Sequence, residues 1–247
     1  MSVLVSLTPS ESKRLIGKAA AAHPLVRKAF TEGNILVSNG TTTGYFVEEL
    51  LGEKLDISRY PCGVTAEGVL CQSPDDRLRS VWIQKGRQME HFPERSDYEE
   101  LDEIIGQMGP GDVYVKGANA VDAEGNAGFF LAHPTGGNIM RMLPKVYAQG
   151  VHFLIPVGLE KLVASVPEAQ RHMKGIGEYS FTFGRGCGYV TVTNGVILHE
   201  IAALSLLTGV HAWHAGSGGI GGSEGAVSLV LEGTPEEKEA AVALLSS

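Results

Sequence analysis

Long apolar runs, clusters of basic residues and closely paired cysteines are all missing from this sequence of 247 residues. No apolar run approaches the roughly 20 residues that a transmembrane helix needs, so we expect no membrane span. The first residues, MSVLVSLTPSESKRL, lack a basic region followed by an apolar core, so we also expect no signal peptide. The formal net charge is −8, which argues against nucleic-acid binding because phosphate contacts need clustered Lys and Arg.

The cysteine content excludes several kinds of site. Cys62, Cys71 and Cys187 are odd in number and widely spaced, and they form neither a Cys-x-x-Cys pair nor zinc-type spacing. We therefore predict a reduced, cytoplasmic setting, no metal, and structural roles for all three cysteines. The glycine-rich loops also lack the Lys of a P-loop and the three-glycine spacing of a dinucleotide fingerprint, so ATP and NAD are not implied and no cofactor is predicted.

The apolar pattern predicts an α/β fold. Strand-like runs alternate with helical patterns over roughly 120 residues, which is typical of a Rossmann-like parallel sheet covered on both faces. A capping pattern at Thr8 and Glu11 predicts the start of a helix, and residues 81–83 suit a strand of an edge hairpin. The composition changes at GRGCG (184–188). We predict an α/β domain over 1–185 and a small α+β unit of the split βαβ, ferredoxin-like kind over 186–247.

The stretch 112–137, DVYVKGANAVDAEGNAGFFLAHPTGG, contains two strand-like runs that each end in a polar or glycine-rich loop. Such loops usually hold the ligand in α/β proteins. Lys116 suits an electrostatic clamp or a catalytic acid, and otherwise a solvated lysine. Asn119 could orient a substrate hydroxyl or close a turn, and Asp122 could be a general base or a turn aspartate. His133 suits acid/base chemistry beside a helix start, or a structural role.

Two loops suit the binding of an anion. The first follows a short buried strand and precedes a helical pattern over 45–51, so its backbone amides and threonine hydroxyls could hold a phosphate or carboxylate. A simple helix cap with a threonine-rich turn is the alternative. The second loop precedes another predicted helix. The predicted substrate-binding residues are Asn39, Gly40, Thr41, Thr42, Thr43, Gly117, Thr135, Gly136 and Gly137.

These stretches support a family comparison. ILVSNGTTTGYFVEEL (35–50) resembles the first strand, loop and helix of ribose-5-phosphate isomerase and of other members of the NagB/RpiA/CoA-transferase-like superfamily. DVYVKGANAVDAEGNAG (112–128) resembles a later strand and turn, as in methylthioribose-1-phosphate isomerase and the regulatory subunits of initiation factor 2B. Residues 137–163 are similar to the LUD domain of lactate-utilisation proteins. The resemblance covers about 35–165 and implies a substrate site at these loops.

The chain departs from the isomerase pattern where acids are expected. Ribose-5-phosphate isomerase has Asp-Gly-Ala-Asp-Glu where this chain has KGANA at 116–120, so catalysis by paired carboxylates is not carried over. The resemblance implies an enzyme that acts on a small anionic metabolite, a phosphosugar or an acyl-type compound, and that forms a homo-oligomer. A non-catalytic metabolite sensor or assembly subunit is one alternative. A CoA-transferase with Glu224 as the nucleophile is another, suggested by Ser223-Glu224-Gly225.

Overall fold

A computed structural model describes residues 1–73, 75–89 and 98–246, the last range with side chains from residue 101 onward. The strands in these ranges are β1 (Val3–Leu7), β2 (Asn34–Val37), β3 (Val64–Ala66), β4 (Val69–Gln72), β5 (Val81–Gln84), β6 (Arg87–Gln88), β7 (Val113–Val115), β8 (Ala120–Val121), β9 (Ala127–Leu131), β10 (His152–Pro156), β11 (Gly188–Val192), β12 (Val196–Leu198), β13 (His211–Ser217) and β14 (Val227–Glu232). The helices are α1 (Pro9–Ala22), α2 (Pro24–Glu32), α3 (Thr41–Leu51), α4 (Tyr98–Gly106), α5 (Gly137–Gln149), α6 (Val166–His172), α7 (Glu200–Thr208) and α8 (Pro235–Leu245). Two short 3-10 turns cover Ile57–Arg59 and Leu159–Lys161.

Six strands form the central sheet in the order β12-β10-β7-β2-β5-β6. The first four are parallel, and β5 and β6 add an antiparallel hairpin at one edge. The predicted α/β class with a mainly parallel sheet is therefore confirmed. The predicted edge hairpin is also present.

Both faces of this sheet are buried, as the short apolar strands require. In β7, Val113 and Val115 point to one face and pack with residues of α1, α2, α3 and α7. Tyr114 points to the other face and packs with residues of α4, α5 and β9. This alternation is the two-residue period of a strand, with each face covered by its own apolar layer.

The first helix positions the third, whose N-terminus lies near the end of β2. Thr8 and Glu11 form the predicted capping box, in which each side chain accepts a hydrogen bond from the other residue's backbone N–H. Gly17 of α1 lies directly against α3, and a Cβ at this position would come within 2.8 Å of the Phe46 backbone nitrogen. Glycine therefore lets the two helices approach closely enough to bury both against the sheet.

The C-terminal segment differs from the predicted ferredoxin-like unit. Its strands do not form one sheet among themselves. β11 pairs with β9, β12 extends the central sheet beside β10, and β14 lies between β1 and β13. The strand periodicity over 186–247 was informative about local structure. It carried no information about partners: β13 and β14 pair with each other, but β11, β12 and β14 also pair with strands from outside this segment. β13 extends to Ser217 and so includes the first residues of the glycine-rich stretch 216–225.

In the described part of the chain, no helix has both the length and the apolar character needed to cross a membrane.

Candidate functional site

A cavity of about 710 Å³ opens at the carboxyl ends of β2 and β7. Its floor is formed by Ser38, which follows β2, and Lys116, which follows β7. One wall comes from the N-terminus of α5, and the other from the segment around the β3–β4 hairpin together with Arg185. In parallel sheets the carboxyl ends of adjacent strands meet at one edge, which is why these positions converge.

Four predicted site residues line this cavity from three loops: Asn39, then Lys116 and Asn119 of one loop, and His133. Gly136 and Gly137 line it as well. Gly40, the three threonines of the first loop, Gly117, Asp122 and Thr135 are outside the lining. The structure therefore brings the two predicted loops together and separates some of their residues from the cavity.

The β2 loop is held mainly by hydrogen bonds within the protein. The Asn39 amide donates to the Leu78 carbonyl at 2.9 Å, and its oxygen accepts from Ser80 Oγ at 2.6 Å. The buried Thr43 hydroxyl donates to the Ser38 carbonyl at 2.8 Å. These contacts fix the start of α3 and the segment 78–80 against the end of β2. The Asn39 side chain and the Thr43 hydroxyl thus have partners inside the fold before any ligand binds.

Lys116 is held in place through its backbone, and the residue lines the cavity. Its N–H donates to the Leu154 carbonyl at 3.2 Å, which continues the ladder between β7 and β10. No described residue forms an ion pair or hydrogen bond with its ammonium group. Burial lowers the pKa of Lys116, the charge of Arg77 lowers it further, and the Cys62 thiol opposes that shift. This ammonium group is therefore available to an anion in the cavity.

Asn119 and His133 each have one polar atom fixed by the backbone nearby. Asn119 Oδ1 accepts the Phe130 N–H at 3.0 Å, and no described residue accepts from its Nδ2. His133 Nδ1 accepts the Thr135 N–H at 3.2 Å and lies 2.9 Å from the Thr135 hydroxyl. Thr135 thus orients the imidazole ring from outside the cavity lining. Both side chains reach the lining with their orientation already set.

The second loop lets a ligand approach the backbone closely at the start of α5. Gly136 and Gly137 have φ of 75° and 62°, in the left-handed region that favours glycine. A side chain at Gly136 would overlap Met140 of the same helix. The two glycines therefore keep this wall of the cavity free of side-chain bulk, and they allow the turn that leads from His133 into α5.

Asp122 is a structural carboxylate of the β8–β9 turn. Its oxygens accept four hydrogen bonds: from the N–H groups of Glu124, Asn126 and Val166, and from the Asn126 side-chain amide, at distances between 2.9 and 3.1 Å. Burial alone would raise the pKa of Asp122, but these hydrogen bonds hold it below its ordinary value. This side chain connects the turn to the start of α6. Its full set of partners matches the predicted turn aspartate better than the predicted base.

Sequence reasoning missed the basic wall of the cavity. Arg77, Arg79 and Arg185 all line it, together with the exposed thiol of Cys62. Arg77 Nη1 lies 2.7 Å from Cys62 Sγ. The two closely spaced arginines of RLR (77–79) were a weak signal. Nothing local predicted that they, and an arginine more than a hundred positions later, would face the ends of β2 and β7.

The remaining sequence alternatives lie elsewhere. Glu224 is exposed on the loop after β13 and is outside the cavity lining; its carboxylate accepts the Gly222 N–H at 2.9 Å. In the described ranges, no group of three or more His, Cys, Asp or Glu side chains is arranged to hold a metal ion.

Comparison with known proteins adds no relative. No protein-family model matches the chain, and no curated protein matches it either.

Proposed function

We propose that this protein binds a small anionic metabolite in the cavity between β2, β7 and α5, and that it is an enzyme acting on a phosphosugar or an acyl-type substrate. One observation carries the proposal: Lys116, three arginines and His133 converge on a single cavity. The chain as a whole carries a net charge of −8, so this concentration of basic groups runs against its average composition. A basic cavity in an acidic protein selects small anions over polyanionic surfaces.

The state of Lys116 supports an anion at this position. An ammonium group that burial destabilises gains more from a nearby phosphate or carboxylate than a solvated one does, because water screens the pair less. A bound anion would raise the lowered pKa of Lys116 back toward its usual range. Binding should therefore be accompanied by proton uptake at pH values between the free and the bound pKa of Lys116, and affinity should fall as the pH rises through that interval.

The proposed chemistry assigns separate tasks to the side chains. Lys116 holds the anion or supplies a proton to a developing oxyanion, as a buried lysine with a lowered pKa can do. The Asn119 amide, through its Nδ2 hydrogens, orients a carbonyl or hydroxyl oxygen of the substrate. His133 lines the same cavity and is the candidate acid/base group of the site.

A non-catalytic metabolite sensor is the second candidate, and one observation favours it. Among the described lining residues Asp75 is the only carboxylate, and it is exposed. Asp122 is already occupied by four hydrogen bonds. A cavity whose described lining has several cations and no carboxylate pair can bind an anion without the two acid/base groups that sugar-phosphate isomerisation uses.

Thermal unfolding with a panel of phosphosugars, CoA esters and inorganic phosphate tests the proposal. A ligand at 100 times its Kd should raise Tm by roughly 5–10 °C in a protein of this size. Lys116→Gln should abolish most of that shift. Lys28→Gln, at an exposed position of α2, is the matched control and should retain it. No shift with any compound, or an unchanged shift in Lys116→Gln, would contradict the proposal.

Turnover separates the two candidates once a ligand is found. NMR of the bound compound over hours should show conversion if the protein is an enzyme. Binding without conversion, with the same dependence on Lys116, would instead support the sensor.

A further inference from the structure

Two of the three cysteines meet on the wall of the cavity although they are 116 positions apart. Cys71 Sγ and Cys187 Sγ are separated by 3.0 Å, and both residues are buried. Neither is part of a disulfide, so the structure contains two thiols in direct contact. Cys71 also lines the cavity, which connects the pair to solvent.

The backbone holds these thiols together. The Leu70 N–H donates to the Phe183 carbonyl at 2.9 Å, and the Arg185 N–H donates to the Leu70 carbonyl at 3.4 Å. Cys71 itself has φ of 56°, a left-handed conformation that is uncommon for a residue other than glycine. The backbone hydrogen bonds between the segments that carry the two cysteines thus hold the sulfurs in contact. The contact does not depend on side-chain rotation alone.

We propose that Cys71 and Cys187 form a reversible dithiol–disulfide site, with a peroxide or a low-molecular-weight disulfide as the oxidant. In the reaction with hydrogen peroxide, the two thiols give up two protons and two electrons, one S–S bond forms, and the O–O bond breaks to give two waters. With a small disulfide, the two thiols are oxidised and the small disulfide is reduced to two thiols. The site is independent of which metabolite the cavity binds.

The geometry requires little movement. A disulfide has an S–S distance of about 2.05 Å, so the two sulfurs must approach by about 1 Å, within the reach of small side-chain rotations. Burial raises the pKa of Cys71 to about 12, with smaller contributions from Cys187. The thiolate of Cys71 is therefore not stabilised in the reduced protein. Thiolate stabilisation is what favours the reduced form of strongly oxidising pairs, so this pair should hold its disulfide firmly once formed.

Oxidation would act on the cavity through Arg185, which lies two positions before Cys187 and lines the cavity. A covalent bond between β4 and this segment would restrain the backbone that carries this basic side chain. The reduced form leaves the same wall held by hydrogen bonds only.

Peptide mapping of the full native chain tests the proposal. The protein is treated with hydrogen peroxide, or separately with glutathione disulfide, then unfolded and alkylated with N-ethylmaleimide before mass spectrometry. We expect one cross-linked peptide pair, Cys71–Cys187, with Cys62 outside the cross-link, either alkylated or, after glutathione disulfide, carrying a glutathionyl group. The oxidised protein should unfold at a Tm roughly 5–15 °C higher, and dithiothreitol should reverse the change. A protein without the Cys71–Cys187 cross-link after oxidation, or one in which Cys62 is linked to Cys71 or Cys187, would overturn the proposal.

The variants remove one thiol at a time. Cys62→Ser should keep the cross-link and the rise in Tm, since it leaves the buried pair intact. Cys187→Ser should lose both. Because a buried serine could destabilise the fold, the mapping of the wild-type chain decides the question even if that variant does not fold. Loss of the cross-link in Cys62→Ser would also refute a site formed by the buried pair alone.

Discussion

Replacing Asp122 with asparagine tests whether this residue is a base or a structural carboxylate. The substitution keeps the size of the side chain and removes its charge. One carboxylate oxygen accepts two backbone N–H groups, from Glu124 and Asn126, and the other accepts the Val166 N–H and the Asn126 amide. In either orientation of the asparagine, two donors face an NH₂ group in place of an acceptor.

The expected loss follows from those four contacts. Hydrogen bonds to a charged group are worth about 1.5–3 kcal/mol each, and a buried donor left without an acceptor costs about 1–3 kcal/mol. Asn126 can rotate its amide to recover one contact. The net loss should therefore be about 2–4 kcal/mol in the free energy of unfolding, or roughly 5–15 °C in Tm for a chain of this length.

The pH dependence gives a second signature. The folded-state pKa of Asp122 is below its ordinary value of 3.8, so its stabilising contribution is fully present above that value. It is lost as the pH falls through the lower, folded-state pKa. The difference between wild type and Asp122→Asn should therefore stay constant from neutral pH down to about pH 4 and shrink below it.

Urea titrations at several pH values measure the difference. Glu124→Gln, which removes an exposed carboxylate from the same turn, is the matched control and should change stability by less than about 0.5 kcal/mol. Affinity for the best compound of the thermal-shift panel should be nearly unchanged in Asp122→Asn. A variant with wild-type stability and no turnover would refute the structural assignment and restore Asp122 as a base.

Three further predictions concern other parts of the structure. Cys62 should react faster with iodoacetate than with iodoacetamide, because the basic wall attracts the anionic reagent; Arg77→Gln should lower that ratio about threefold, as measured by mass spectrometry. Gly184→Ala should cost about 1–3 kcal/mol in chemical denaturation, because φ is +94° and the added Cβ would overlap the Leu70 carbonyl. Burial raises the pKa of Glu200 above its ordinary 4.5. Its contribution to stability is therefore present below pH 4.5 and lost as the pH rises through the folded-state pKa, and Glu200→Gln should flatten this dependence in urea titrations.

Each of these has its own control. The reagent ratio is compared with that of N-acetylcysteine, and an equal ratio in both would contradict a basic wall. Gly125 has a similar φ of +81° but open space around it. An equal loss of stability in Gly125→Ala and Gly184→Ala would show that the contact with Leu70 contributes nothing. Glu232→Gln, at an exposed position, should keep the wild-type pH dependence. A wild-type slope in Glu200→Gln would show that another group causes it.

Local patterns predicted much of the fold. The capping box at Thr8, the short buried strand β2 and the strand β7 all followed from composition and period, because each is determined by neighbours within a few residues. The partners of the later strands did not follow. A short apolar run such as β12 could pair with the edge strand of any sheet. Its position beside β10 depends on tertiary packing, which the local sequence pattern does not encode.

The site divides in the same way. Lys116 and Asn119 were predictable because they follow a strand, and strand ends converge in a parallel sheet. The arginines and cysteines of the facing wall were not. Cys71 meets Cys187 only because the segment around Gly184 pairs with β4, and the interval of 116 positions gives no spacing to recognise. The default structural role for all three cysteines therefore had no local evidence against it.

The polar residues near the cavity fall into two groups: those whose hydrogen-bonding atoms are already used within the protein, and those that keep a donor for a ligand. Asp122 and Asn39 have their acceptors filled by nearby donors, and the Asn39 amide also has an acceptor, so replacing either should first affect stability. Asn119 has its oxygen filled and its amide without a described acceptor, and the Lys116 ammonium forms no hydrogen bond or ion pair with a described residue. A donor group that the fold positions but does not pair with an acceptor can form its hydrogen bond or ion pair with a ligand. Lys116 and Asn119 should thus govern affinity, whereas Asp122 and Asn39 should govern whether the cavity exists.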